Sequence, residues 1–220
     1  MRVLELFCGT KSIGKPFERD GHEVVSVDID PKFEPTICAN ILDLPLDKWE
    51  PGTFQYVHAS CPCTNYSRAK TNGAPRDLDG ADAIVLRTIN MIRHLRPVAW
   101  TIENPATGML KTRPFMAGLS YTDVSYCHYG APYRKNTRLW HSPNLDLSKL
   151  RLCNKDCPSI LRNCTGRLVH LCSAQHGPSR GKATDRCFKA EDLYVIPAPL
   201  CEEIYQAVVL AAADHLPRTW

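Results

Sequence analysis

No stretch of the 220-residue chain approaches the roughly 20 consecutive apolar residues that a bilayer-spanning helix requires, so a membrane protein is not expected. Nor is there a secretory leader pattern: Met1-Arg2 runs straight into Val3-Leu4-Glu5-Leu6-Phe7, which reads as a strand, and a soluble protein of the cell interior is expected. Internal repeats and low-complexity tracts are also missing, which excludes solenoids and disordered tails. Charge of one sign is in short supply, the net value being only +4. What charge asymmetry exists is local: between Arg151 and Lys189 eight Lys or Arg face only Asp156 and Asp185. Such a stretch beside a near-neutral body fits a polyanion-facing surface, although basic loops are also ordinary solvated surface.

Cysteine, in contrast, is abundant. Eleven is an odd number, and a chain this long buries enough core to fold without disulfide staples. Reduced thiols are expected, some of them available to a metal.

The apolar pattern alternates strand and helix. Residues 2–7 form a buried strand, the turn Cys8-Gly9-Thr10-Lys11-Ser12-Ile13-Gly14 leads into a helix-like stretch, and Val24 to Val27 form a second strand ending on Asp28. A strand, tight turn, helix and strand with a carboxylate at the second strand's tip can hold a nucleotide-like cofactor, because the turn admits close backbone approach and the carboxylate accepts ribose hydroxyls. Turn glycines and a surface Asp28 would give the same pattern. Further strands are expected at Gln55 to Ala59, Val98 to Ile102 and Tyr121 to Tyr126, with a helix from Asp82 to Leu95. This alternation predicts an α/β fold, a doubly wound and mostly parallel sheet, with its site at the carboxyl ends of the strands.

After Trp140 the periodicity gives way to Pro, Cys, Gly and Arg, and it returns in an Ala- and Val-rich helix near Leu200 to Ala213. Three regions follow: residues 1–140 as the catalytic, cofactor-binding part, 141–190 as a small irregular basic and Cys-rich part, and 191–220 as a segment returning to the first.

Two strand ends carry reactive groups. Ser60-Cys61-Pro62-Cys63 follows one strand and Glu103-Asn104-Pro105 closes another, so a thiol and a carboxylate can converge on one ligand. Taken singly, a cysteine is more often a buried small side chain than a nucleophile.

Taken together and in order, these stretches resemble the cytosine-C5 DNA methyltransferase family. Glu5 to Gly9 is similar to its first cofactor motif, Val27-Asp28-Ile29-Asp30 to the second, and Ala39-Asn40-Ile41-Leu42-Asp43-Leu44 to the third. Pro62-Cys63 with Tyr66-Ser67 resembles the catalytic loop, Glu103-Asn104 the Glu-Asn pair, and Tyr129-Gly130-Ala131-Pro132 with Arg134, Lys135 and Arg138 the arginine motif.

The resemblance implies a Rossmann-like fold with a small target-recognition part, and methyl transfer from S-adenosylmethionine to a flipped-out cytosine, leaving S-adenosylhomocysteine. Cys63 would add to C6, Glu103 would protonate or hydrogen-bond N3, and Arg138, or Arg134, would reach O2. Leu6, Phe7, Cys8, Gly9, Thr10, Asp28, Ile29, Asn40, Ile41 and Ser60 are the implied cofactor contacts. A stacked base is out of reach of a thiol, so the target is flipped or single-stranded. DNA is favoured as partner, with tRNA or an inactive DNA-binding relative as alternatives; retention of both Cys63 and Glu103 argues against the inactive one. A monomer is expected, in a bacterial cytoplasm, an infected host cell or a nucleus.

Several positions depart from the family pattern. The first turn lacks its additional glycines, Asn40 replaces an aspartate, Thr64 stands where Gln follows Pro-Cys, and the arginines are shifted in register. The recognition part is short, which predicts a short or loose target, since each good base contact discriminates by only ~1–3 kcal/mol. Within it, Cys153, Cys157, Cys164, His170, Cys172, His176 and Cys187 could supply zinc ligands, although Cys-x3-Cys and Cys-x6-Cys are not knuckle spacings and packing thiols explain them nearly as well.

Overall fold

The computed structural model describes residues 1–68, 74–163, 165–174, 177–178 and 190–215. Its centre is a seven-stranded sheet: β1 (Arg2–Leu6), β2 (Glu23–Asp28), β3 (Ile37–Cys38), β4 (Tyr56–Ser60), β5 (Ala99–Pro105), β6 (Tyr121–Ser125) and β7 (Asn136–His141). The strand order is β3-β2-β1-β4-β5-β7-β6. β7 lies antiparallel between β5 and β6, and the other pairings are parallel. The expected mostly parallel α/β sheet is therefore present.

Strand alternation divides the core in two. Val3, Tyr56, Ala99 and Leu139 face one layer, built with Phe17 of α1 (Gly14–Arg19) and with Leu200, Ile204 and Val208 of α3 (Ala198–His215). Leu4, Leu6, Val57, Ala59, Ile102 and Trp140 face the other, built with Val85, Ile89 and Ile92 of α2 (Leu78–Leu95). The last helix packs on the first of these two faces of the sheet. α2 begins at Leu78, ahead of the expected Asp82, because the Asp77 carboxylate caps it by accepting from Gly80 N. Among the described residues no helix is long and apolar enough to cross a membrane.

β7 was not foreseen in the sequence. Its first half, Asn136-Thr137-Arg138, is polar, and only pairing on both sides makes it a strand.

Beyond β7 the chain stays on the core through Leu145, Leu147 and Leu150, all buried. Then come two short antiparallel pairs, β8 (Ile160–Arg162) with β9 (Leu168–His170) and β10 (Cys172–Ser173) with β11 (Gly177–Pro178). From Arg151 to Ala174 the described residues bury only Cys157 and Cys172. Backbone bonds tie this part to the sheet: Arg134 N donates to Cys172 O at 2.9 Å and Ala174 N donates to Arg134 O at 3.0 Å. Of the basic run, Arg180, Lys182, Arg186 and Lys189 lie outside the described residues, as do Cys164, His176 and Cys187.

Candidate active site

Strand order reverses between β1 and β4, and in such sheets ligands sit at the carboxyl ends beside that switch. A cavity of about 120 Å³ occupies this place, lined by Leu6, Phe7, Asp28, Ile29, Asn40 and Ile41, with Pro62 and Ile84 closing it. Six of the ten residues expected to hold the cofactor meet here. The other four do not line the cavity. Cys8, Gly9 and Thr10 form the turn behind it, and the Ser60 hydroxyl pairs with His58 Nε2 at 3.0 Å.

That turn holds its shape without the family's glycines. Phe7 and Lys11 adopt left-handed backbone (φ 55° and 53°), a conformation that side chains resist. Glu5 supports it from below, its two carboxylate oxygens accepting from Ile13 N and Gly14 N, both at 3.1 Å. A Cβ at Gly14 would stand 2.7 Å from Glu5 Oε2, so a larger residue there would displace that carboxyl group. Burial pushes the Glu5 carboxyl up to about 8 against those two amides. Lys11 donates to the Glu34 carbonyl at 2.5 Å and so is held away from the cavity.

Asp28 closes the tip of β2. Its Oδ2 accepts from Gly9 N and its Oδ1 from Asp30 N, both at 2.9 Å, and each oxygen retains further acceptor capacity. Ile29, an apolar side chain left 66% exposed, flanks it. An apolar slot with a carboxylate at one end suits a nucleoside: a flat base would pack on Phe7, Ile29 and Ile41, and a ribose diol would donate to Asp28. The residues present therefore fit S-adenosylmethionine.

The next residue along, Cys63, opens into a second and larger cavity of about 410 Å³, shared with Asn104, Arg134, Lys135, Ser173 and Tyr194. Pro62 lines one cavity and Cys63 the other, so a single peptide unit separates them. The Cys63 loop is held at several points. Asn104 Nδ2 donates to Cys61 O at 2.9 Å, Met109 N donates to Tyr66 O at 2.9 Å, and the buried Tyr66 hydroxyl donates to Asp82 Oδ1 at 2.7 Å. Asp82 is in turn paired with Arg113. Gly108 sits so close beneath that a Cβ would meet Pro105 O at 3.1 Å and Tyr66 O at 3.4 Å.

Glu103 is buried at the end of β5, opposite Ser60 in the register. It accepts from the Tyr126 hydroxyl at 3.3 Å, and Lys135 Nζ lies 3.7 Å from its Oε1. Lys135 also sits 4.6 Å from the Tyr126 ring centroid and donates to Leu193 O at 3.0 Å. Both charges act on the nucleophile candidate. Burial pushes the Cys63 thiol up, Glu103 adds to that, and Lys135 opposes it. Burial also raises Cys8 and Cys61, each to about 12, so neither competes as a thiolate near neutral pH.

Arg138, expected at the base, is held elsewhere. In β7 it pairs with Asn104 while Leu139 pairs with Glu103, so alternation turns Arg138 to the face opposite Glu103. There Asp123 grips it with two bonds of 2.7 and 2.8 Å, and its guanidinium stacks 3.6 Å from the Tyr121 ring centroid. Arg134, the other arginine expected near the base, does line the cavity, together with Lys135. Sequence reasoning named Lys135 in the arginine motif without giving it a role and did not single out Tyr126; the signal available was the Arg134-Lys135 pair directly after Tyr-Gly-Ala-Pro-Tyr.

In solved structures, the chain is similar to an Entamoeba histolytica methyltransferase, EhMeth, at 16% identity with a TM-score of 0.50, covering 69% of this chain and 56% of that one. It is also similar to the Dnmt2 methyltransferase of S. pombe at 17% identity with a TM-score of 0.49, covering 64% of this chain and 50% of that one. The chain thus spans about half the length of these structures, and the likeness to EhMeth is one of fold. A protein of frog virus 3 (isolate Goorha), named "Probable DNA (cytosine-5)-methyltransferase", is 30% identical over 219 residues, which is 93% of this chain and 98% of that protein. The family model described as C-5 cytosine-specific DNA methylase matches residues 1–114. On this match and this near full-length relative, the chain belongs to the C-5 cytosine-specific DNA methylase family.

Proposed function

We propose that the chain transfers a methyl group from S-adenosylmethionine to C5 of a cytosine in DNA, with Cys63 as the nucleophile. The observation that carries this reading is the meeting of the half-buried Cys63 thiol with Asn104 and Lys135 in one cavity, beside Glu103 and one peptide unit from a nucleoside-shaped slot.

The donor supplies an electrophilic methyl when bound against Phe7, Asp28 and Ile41. Everything else falls to the protein and the base. Cytosine C5 is a weak nucleophile until a thiolate adds to C6, which turns C5 into the carbon of an enamine. Cys63 supplies that thiolate. Burial and Glu103 favour the thiol and Lys135 the thiolate, and the proton passes to solvent as sulfur adds to C6. As electron density moves toward N3, Glu103 donates to or hydrogen-bonds N3 and the exocyclic amine, and Tyr126 and Lys135 hold the carboxyl in place. Asn104 fixes the Cys63 loop through Cys61 O. Arg134, one of the two arginines expected there, or Lys135 faces O2. Once C5 has taken the methyl, transfer of the C5 proton to solvent expels Cys63 as thiolate and restores aromaticity.

The base must leave its stack to enter the cavity, so flipping from a duplex or capture from a loop precedes chemistry. The basic segment beyond β7 would face the phosphates, with few base contacts and a short or loose target sequence. The monomeric protein, in the cell interior, would meet its substrate as duplex DNA.

The test is trapping on oligonucleotides containing 5-fluorocytosine, in which the C5 fluorine blocks the final elimination. A covalent adduct on DNA, formed with S-adenosylmethionine by the wild type and not by Cys63→Ser, is the expected result. An adduct confined to tRNA would move the substrate to RNA, and no adduct on either would overturn the reading.

A further inference from the structure

We propose that Cys127, Cys153, Cys157 and His170 bind one zinc ion that fastens the small basic segment to the sheet. The four ligand atoms all lie within 4.8 Å of one another. His170 Nε2 stands 3.4 Å from Cys127 Sγ and 3.3 Å from Cys153 Sγ. A tetrahedral zinc with ordinary Zn–S and Zn–N bonds has edges of about 3.6 Å for S···N and about 3.8 Å for S···S, so the side chains already stand close to the corners. Three thiols and one imidazole form a closed structural set that leaves no position for water or substrate.

Cys153 and Cys157 sit on one turn, in which Lys155 takes a left-handed conformation (φ 65°).

The segment also needs a fastener. With only Cys157 and Cys172 buried among its described residues from Arg151 to Ala174, it has almost no apolar core, and small units of that kind are held by metals or disulfides. The four ligands come from three places: Cys127 from the 3-10 turn Tyr126–Tyr129 after β6, Cys153 and Cys157 from a loop, and His170 from the end of β9. Zinc would join all three. Only three of the four belong to the stretch in which the sequence pattern suggested ligands. Cys127, from the sheet domain, completes the set, while Cys172 is buried in the main core.

The arrangement bears on the Cys63 cavity. Directly after His170, Leu171 N donates to Ser159 O at 2.9 Å, and Cys172 and Ala174 make the backbone bonds to Arg134. Ser173 and Ala174 then form a wall of that cavity. Fixing His170 fixes the wall.

Metal content tests this without reference to methyl transfer. The full chain, purified with no added metal, should carry one zinc per chain by mass spectrometric elemental analysis. Cobalt(II) exchanged into it should give the intense visible bands of a tetrahedral thiolate site. Cys153→Ser and His170→Ala should lose at least five-fold in bound zinc. His170→Cys should keep it, and Cys38→Ser, an exposed thiol elsewhere, should be unaffected. The proposal is overturned if the folded wild type holds less than a tenth of an equivalent and takes up none on dialysis against zinc, or if His170→Ala and Cys127→Ser both retain a full equivalent.

Discussion

Lys135 Nζ stands 3.7 Å from Glu103 Oε1, and the two act on Cys63 in opposite directions, the carboxylate holding the thiol proton and the ammonium loosening it. As the proposed nucleophile, Cys63 is half-buried, with burial and Glu103 favouring its thiol and Lys135 its thiolate.

Substitution should separate the two influences. In Lys135→Gln the pH midpoint for Cys63 alkylation by iodoacetamide is expected to rise, and in Glu103→Gln to fall, read by mass spectrometry of the Cys63 peptide. Methyl transfer should nonetheless drop about 10²- to 10⁴-fold in Glu103→Gln, because a readier thiolate does not replace the acid at N3. A Glu103→Gln protein that keeps its rate would remove the carboxyl from the chemistry.

Arg138 should behave as a structural residue. Its paired bonds to Asp123 and its stacking on Tyr121 predict that Arg138→Lys loses about 1–2 kcal/mol of stability in urea unfolding. Methyl transfer at saturating DNA should change by no more than a few-fold. A collapse in rate at unchanged stability would return Arg138 to the base.

Asn104 acts through the loop it holds. Asn104→Ala leaves the buried Cys61 carbonyl without its donor, which costs about 1–3 kcal/mol. A shift of the Cys63 loop by even 1 Å should slow transfer by about 10²-fold. The effect should appear in kcat more than in DNA affinity, measured by single-turnover kinetics beside a binding titration.

His58 gives the fold an acid limit. It is fully buried, bonded to Thr101 Oγ1 at 2.7 Å and Ser60 Oγ at 3.0 Å, and burial pulls its pKa from 6.5 to about 3. Between those values the unfolded chain takes up a proton that the folded chain refuses, so this contribution is complete above pH 6.5 and declines as pH falls toward 3. His58→Gln should flatten that part of the stability profile by an amount on the order of a few kcal/mol, seen as a smaller difference in urea midpoint between pH 7 and pH 4.5.

The sheet and the reactive strand ends were legible because their signals are local. A buried strand followed by Cys-Gly, a carboxylate at the tip of β2 and a Pro-Cys after β4 each occupy a few consecutive residues. What was not legible depends on partners distant in sequence. β7 is polar in its first half and becomes a strand only between β5 and β6, and its register decides that Arg138 faces away from Glu103 while Lys135 faces toward it. Cys127 gave no metal signal either, lying 26 positions before Cys153 in a turn of an unrelated element. The glycine-poor turn looked like a weakened cofactor motif, yet Phe7 and Lys11 bend where glycines otherwise would.

The wall that Ser173 and Ala174 contribute to the Cys63 cavity comes from the same short segment that would touch the nucleic acid. Reading and reacting then share masonry. A substitution that retunes which sequence is gripped also reshapes the chamber in which the base is processed, so target preference in this enzyme should register in turnover as much as in affinity.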